Sequence, residues 1–306
     1  MKIAAIIITY NDGYKLKEWI MHHQEYKDEL YMHIIVDNGS ETEYLKKVEV
    51  AFPNSTIIKR NINGGCTGAY NDGIKYALGC PEVDSIMLIG NDIKLEKGGA
   101  TKLHDFLMSN EQYGMVSPIL LEKDSNVIGD FGCKISKSLS MVPFNVGDNI
   151  NNVNINSREV TALTGGMNLS KRKFYEVVGL QDEILFMYSD EVDMSIRSFK
   201  KNFKMAATKE VKSWHQHINA TENANERHPF SSYLIGRNKV YLSKKHYSFC
   251  KTVYVFSTYA KIALKGIVVS IIKKKPGTMQ SSMWLLYGMI NGLFGNMKHN
   301  KYSKPI

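Results

Sequence analysis

Ile3-Ala4-Ala5-Ile6-Ile7-Ile8-Thr9-Tyr10-Asn11 opens the chain with an apolar run that stops on two hydroxyls and an amide. A short apolar run of this kind predicts a strand buried on both faces, as in the parallel sheet of an α/β protein. It is too short for a leader peptide. The pattern then repeats. Residues 12–25 predict a helix, and His33-Ile34-Ile35-Val36-Asp37 a second strand ending in the turn Asn38-Gly39-Ser40. A short helix and a third strand, Thr56-Ile57-Ile58-Lys59, come next. The glycine-rich loop Asn63-Gly64-Gly65-Cys66-Thr67-Gly68 leads into a helix over 69–78. Ser85-Ile86-Met87-Leu88-Ile89 is a fourth strand stopping at Gly90-Asn91-Asp92; a helix over 100–110 precedes a fifth strand, Gly114-Met115-Val116-Ser117-Pro118. Strands alternating with helices indicate the α/β class.

Beyond residue 120 the signal weakens. Residues 149–156 form an Asn-rich stretch expected to be a mobile loop. Order resumes at 160–166, followed by a helix near 170–178 and a strand over 204–212. The 306 residues suffice for one large domain or two, and no repeat is visible. The four cysteines, Cys66, Cys80, Cys133 and Cys250, show no paired spacing and are expected to be buried, reduced thiols of a cytoplasmic protein.

Charge is distributed unevenly. Residues 1–226 hold 25 Lys/Arg against 30 Asp/Glu, whereas residues 227–306 hold 14 Lys/Arg and no acid. An acid-free basic tail points to a polyanionic partner, nucleic acid or an anionic membrane. Within it, residues 252–272 are apolar apart from Lys261 and Lys265, and residues 279–297 form a second apolar helix. Neither run is expected to span a bilayer. Both suit helices lying in the interface, with a helical pair packed on the rest of the protein as the alternative.

In an open α/β sheet ligands bind beyond the carboxyl ends of the strands. Thr9-Tyr10-Asn11, Asp37-Asn38, the 63–68 loop and Gly90-Asn91-Asp92 all fall there. Asp37 could accept hydrogen bonds from a ribose or a base, or simply close its turn. The glycines of the loop permit close backbone approach to a ligand. Neither the dinucleotide-binding nor the P-loop spacing is present. Asp92 is placed to hold a hard divalent cation on a diphosphate. Trp214-His215-Gln216-His217 offers an imidazole to a metal or a phosphate, and Arg237 could meet a phosphate bidentately or cap a basic face. Lastly, Phe186-Met187-Tyr188-Ser189-Asp190-Glu191-Val192-Asp193 places three carboxylates within four positions. Such a group raises the proton affinity of its members toward that of a general base; it also suits a helix N-terminus.

These segments, in this order, resemble the family 2 glycosyltransferases, and within them bacterial rhamnosyl-, galactofuranosyl- and similar transferases of capsule or cell-wall polysaccharide synthesis. The resemblance covers residues 3–245. It rests on Ile7-Ile8-Thr9-Tyr10-Asn11, Val36-Asp37-Asn38-Gly39-Ser40, Asn63-Gly64-Gly65, Leu88-Ile89-Gly90-Asn91-Asp92, Leu163-Thr164-Gly165-Gly166, the acidic segment and His215. It implies a Rossmann-like mixed, mostly parallel sheet flanked by helices, the A-type glycosyltransferase fold. Residues 1–245 would be catalytic, with a nucleotide-binding half over 1–118 and an acceptor half over 119–245, and residues 246–306 a basic amphipathic membrane-associating extension.

The resemblance also implies roles. Thr9, Tyr10, Asn11, Asp37 and Asn38 would line the nucleoside pocket; Asn63, Gly64 and Gly65 would approach the donor, with Asn91, Asp92 and Arg237 near its diphosphate. Asp92 and His215 would hold Mg²⁺ or Mn²⁺, and Glu191 or Asp190 would be the base. Two departures stand out: Gly90 replaces the first aspartate of the D-x-D motif, and the order Asp190-Glu191 reverses the usual Glu-Asp, so that strict alignment puts Glu191 at the base position. The expected protein is an inverting transferase using a nucleotide diphosphate sugar and a lipid-linked or oligosaccharide acceptor. It would sit in the cytoplasm, peripherally on the inner face of the cell membrane, without nucleic acid; a homo-oligomer stays open. The alternative is a catalytically impaired relative that binds a nucleotide or a partner.

Overall fold

The computed structural model describes residues 1–216 and 228–297; His217 lies outside the described residues. In chain order its elements are β1 (Ile3–Thr9), α1 (Leu16–Tyr26), β2 (Met32–Asp37), α2 (Thr42–Ala51), β3 (Thr56–Lys59), α3 (Gly65–Leu78), β4 (Ser85–Ile89), β5 (Ile93–Leu95), α4 (Gly99–Ser109), β6 (Tyr113–Glu122), β7 (Ile128–Asp130), β8 (Cys133–Ile135) and β9 (Met141–Pro143). They continue as β10 (Ser157–Val160), β11 (Met167–Lys171), α5 (Arg172–Val178), α6 (Asp190–Lys200), β12 (Lys204–His215), α7 (Pro229–His246), α8 (Phe249–Ile272) and α9 (Pro276–Phe294).

One mixed sheet runs β10-β12-β6-β11-β4-β1-β2-β3, with β5 on β12 and β7 on β6. Its N-terminal half, β3-β2-β1-β4, is all parallel. Antiparallel β11 joins this half to β6. The apolar run of β1 divides by period two, as a strand covered on both faces must. Ala4 and Ile6 face the core under α3 and α5, while Ile3, Ala5 and Ile7 face the core under α1, α2 and α4. Strand order reverses between β1 and β4, because β2 and β3 extend one way from β1 and β4 lies on its other side. That reversal brings the Thr9 and Gly90–Asp92 ends together at the place where α/β sheets bind ligands.

Several expectations need correction. Helix α3 begins at Gly65, so most of the glycine-rich loop is helical. The Asn-rich stretch is anchored, since Ile150 and Val153 are buried in the core and Asn149 caps the short helix between them. Of the cysteines only Cys133 is buried, and Cys250 is exposed. Helix α8 runs 24 residues and is long and apolar enough, by length and composition, to cross a membrane.

The expected boundary at 245 falls at the end of α7, yet α7 packs on α9 at near-backbone contact. A Cβ added to Gly288 would lie 2.0 Å from the Tyr233 carbonyl oxygen, and one on Gly292 would lie 2.3 Å from that of Arg237. Helices α7, α8 and α9 thus share one core, with Val240, Val255, Tyr259, Leu285 and Met289 in it.

Candidate active site

The carboxyl ends of β1 and β2 are laced together by the polar residues expected there. The Thr9 hydroxyl pairs with that of Tyr44. Asn11, at φ 51°, donates its N–H to Ser40 Oγ at 3.0 Å and accepts the Glu41 N–H at 3.0 Å. Asp37 is buried and accepts the Ser40 N–H at 3.3 Å on each oxygen, closing the turn after β2. Tyr10 is half-buried, and its N–H donates to Asp12 Oδ2 at 3.3 Å.

The glycines serve a different contact from the one expected. Asn38 accepts the Gly64 N–H at 3.0 Å and donates to Asn63 Oδ1 at 2.9 Å and to the Gly65 carbonyl at 3.1 Å. Gly65 sits at φ 73°, and a Cβ on it would lie 2.0 Å from the Phe186 carbonyl oxygen. The close approach that demands glycine is therefore to the protein's own 186–189 loop.

At the end of β4, Asp92 faces an ammonium and an imidazole. Lys15 Nζ lies 2.9 Å and His215 Nε2 3.5 Å from its Oδ2. Burial raises the Asp92 carboxyl, but the hydrogen bond and charge of His215, with those of Lys15, outweigh it and hold the group well below the ordinary carboxylate range. Asn91 donates to Asp12 Oδ2 at 2.9 Å, fixing the loop. A Cβ on Gly90 would come within 2.8 Å of Asp92 Oδ1, so the missing first aspartate leaves room that the Asp92 carboxylate uses.

Among the described residues no group of three or more His, Cys, Asp and Glu converges on one point. A carboxylate and an imidazole 3.5 Å apart still fit a hard cation, whose remaining positions take water and substrate phosphates. Lys15 competes for the same oxygen. Sequence reasoning missed Lys15. Its only signal is its position six residues beyond a strand end on the ligand-binding edge.

Across the cleft, Asp190 and Glu191 open α6 after a strained loop. Phe186, Tyr188 and Ser189 have φ of 66°, 66° and 68°, conformations that cost non-glycine residues of order 1 kcal/mol or more each. The loop is held from both sides. Thr67 donates its N–H and hydroxyl to the Phe186 carbonyl, both at 3.3 Å. Asn238 donates to the carbonyls of Leu185, Met187 and Tyr188 at 3.0, 2.9 and 2.8 Å.

Arg237 is fully buried and donates to the carbonyls of Ile184, Leu185 and Met297 at 3.1, 2.9 and 3.1 Å. The structure thus turns Arg237 away from the diphosphate end and makes it a brace for the loop. Asp193 is also fully buried, among Arg197, Lys245 and His246 at 2.7, 2.8 and 2.7 Å, and so ties α6 to α7.

Burial and the adjacent charge of Glu191 push the Asp190 carboxyl well above its ordinary range. Burial raises Glu191 as well, but backbone hydrogen bonds, the Lys239 charge and a hydrogen bond from Asp190 oppose it. The shared proton therefore resides on Asp190, which donates it toward Glu191, and Glu191 is the carboxylate. Gly165 leaves room for it, since a Cβ there would lie 2.7 Å from Glu191 Oε1. Asp190, Glu191, Asp92 and His215 all line one cleft of about 610 Å³.

Residues 4–128 match the family model described as glycosyl transferase family 2. Over that stretch the chain is similar to the family 2 glycosyltransferases. Over 276 residues, 89% of its length and 84% of the relative's, the transferase is 21% identical to the low-salt glycan biosynthesis hexosyltransferase Agl10 of Haloferax volcanii. Among solved structures it is similar to GalNAc-T7 with UDP, GalNAc and Mn²⁺ (TM-score 0.61, 12% identity, 80% of this chain and 48% of that one). It is likewise similar to S. aureus TarS (0.55, 13%, 78% and 39%). A third is the mannosyltransferase PcManGT from Pyrobaculum calidifontis in complex with GDP-Man and Mn²⁺ (0.55, 11%, 96% and 87%). The transferase spans less than half of the GalNAc-T7 and TarS chains. What it shares with all three is the A-type glycosyltransferase fold.

Proposed function

We propose that the transferase moves a sugar, with inversion, from a nucleotide diphosphate sugar to a hydroxyl of a lipid-linked saccharide in cell-surface polysaccharide synthesis. The observation that carries this reading is the single cleft bounded by Asp92 and His215 on one side and by the Asp190–Glu191 pair on the other. The nucleoside lies near Thr9, Tyr10 and Asp37, and the diphosphate near Asp92. Glu191 takes the proton of the acceptor hydroxyl. That oxygen bonds to the anomeric carbon as the bond to the diphosphate oxygen breaks on the opposite face, and the nucleoside diphosphate leaves with the electron pair. Asp190 keeps its proton and orients Glu191. Lys15 places positive charge beside the leaving group.

Mg²⁺ or Mn²⁺, when bound, would be held by Asp92 and His215 and would supply Lewis-acid stabilisation of the diphosphate. The relatives with Mn²⁺ support this use. The lipid-linked acceptor and a station on the inner membrane surface are supported by the acid-free helices that follow residue 226.

Gly90 favours one rival, a binding subunit without turnover. A panel of nucleotide sugars, scored for binding and slow hydrolysis with Mn²⁺ and with a chelator, tests the proposal. One donor class should bind and hydrolyse, and adding acceptor should accelerate nucleoside diphosphate release. Binding without any release would favour the rival.

A further inference from the structure

Glu191 has a second side. A separate cavity of about 700 Å³ lies between the catalytic domain and the C-terminal helices, with Glu191 and Lys239 at its floor. Tyr188, Met141 and Glu191 line both this cavity and the donor cleft, so the carboxylate forms part of the wall between them. Lys239 is buried, donates to the Leu139 carbonyl, and its charge acts on Glu191.

The chemistry changes toward the rim. Hydroxyls of Ser281 and Ser282 line the α9 side, while Ile262 and Leu285 give aliphatic walls. At Gly266, also in the lining, α8 and α9 cross so closely that a Cβ would lie 2.2 Å from Ser282 Oγ. The lining does not end in a polar surface. Ile262 is 53% exposed, and Val268, Ile271 and Met283 on the same two helices are exposed apolar residues as well.

A ligand filling this space must carry hydroxyls at one end and hydrocarbon at the other, and the volume suits a mono- or disaccharide with the first part of a chain. We propose that this cavity is the acceptor site. It takes the saccharide head of an amphiphile, with a hydroxyl presented to Glu191 and the apolar chain leaving over the exposed faces of α8 and α9. The inference rests on the glycosyl-transfer reading and adds where the acceptor enters and which residues receive its two ends. The acceptor hydroxyl held by Glu191 then passes into the donor cleft where the two spaces adjoin, and meets the anomeric carbon on the face opposite the diphosphate, as in-line displacement requires.

The test uses the full-length protein and an alkyl glucoside bearing a diazirine at its chain end, below its critical micelle concentration. Labelling should concentrate on α8 and α9 peptides around Ile262. Octyl β-D-glucoside should compete for it, and glucose or octanol alone should compete at least tenfold less well. Ile262→Trp and Ser281→Trp narrow the cavity and should each cut labelling tenfold or more. Val50→Trp, on an exposed position of α2 away from the cavity and from α8 and α9, should leave it unchanged.

Uniform labelling of the exposed helical faces, or labelling indifferent to Ile262→Trp and Ser281→Trp, would overturn the proposal in favour of simple detergent adsorption. Competition by glucose equal to that of octyl glucoside would overturn the amphiphile class. Nucleoside diphosphate binding, measured separately on the same variants, should not change; its absence in the parent protein would count against glycosyl transfer while the labelling still decides the cavity.

Discussion

Glu191 and Asp190 differ by one methylene, and their surroundings divide the roles. Asp190 holds the proton and Glu191 the charge, so the two should respond unequally to amide substitution. Glu191→Gln should lower kcat by about 10²–10⁴-fold, the range for loss of a general base, with nucleotide binding kept. Asp190→Asn preserves a donor toward Glu191 and should cost about tenfold or less by the same reasoning; equal losses would reverse the assignment. In the proposed mechanism Glu191 must be ionised; its pKa is raised, so activity should fall on the acid side at a pH above the ordinary carboxylate range.

Arg237 supplies the complementary case. If it bound phosphate, Arg237→Lys would weaken the donor. As the loop brace seen here, Arg237→Lys loses the planar fork that reaches several carbonyls, and should lower kcat and Tm while leaving nucleotide Kd unchanged. The sequence makes the acidic segment and Asp92 legible because both follow strands at predictable ends. It does not reveal that Arg237 points inward, since a charged residue on a helix gives no sign of its face without partners to count.

Strands β1 to β4 are legible because buried parallel strands need apolar runs on both faces, and each run ends in turn-forming residues. Helix α3 starts earlier than expected because Gly64 and Gly65 look like punctuation. Their neighbours show that Gly65 admits the Phe186 carbonyl and Gly64 the Arg60 guanidinium instead. The docking of α1 on β2 contains a further constraint absent from the pattern. His23 is buried and stacks on His33 with ring centroids 4.0 Å apart. Burial, helped by the Lys27 charge and opposed by Asp28, pushes the His23 pKa down to about 4, and burial with His23 lowers His33 further below the usual range.

Both imidazoles are therefore neutral in the fold. A depressed histidine stabilises fully above its unfolded value near 6.5, and the contribution is lost as pH falls from there toward about 4. For His23 this amounts to about 3 kcal/mol. Thermal melts between pH 7 and pH 4 should show a falling Tm that flattens in His23→Phe. A parallel decline in the variant would place the acid sensitivity elsewhere.

The tail is where composition and fold meet. Helix α8 is long enough to cross a bilayer, yet Thr252, Val255, Tyr259 and Ala263 form a stripe along it that packs against the protein. Crossing would strip that stripe from α7 and open the cavity beside Glu191. Lying in the interface keeps it, and leaves Val253, Leu264, Val268 and Ile272 outward to meet acyl chains. Lys261, Lys265 and Lys273 to Lys275 then face headgroups.

Each lysine near an anionic surface contributes about 1 kcal/mol. Replacing all five with Gln should therefore weaken sedimentation with anionic vesicles by about three to four orders of magnitude at low salt. Raising the ionic strength should weaken the parent protein in the same direction. Alkaline carbonate should release an interfacial protein from membranes, whereas a crossing α8 would resist it. Carbonate-resistant, salt-insensitive binding equal on neutral vesicles would therefore mean that α8 leaves its packing face behind and spans the bilayer, and the acceptor cavity between the helices would not exist in the membrane-bound form.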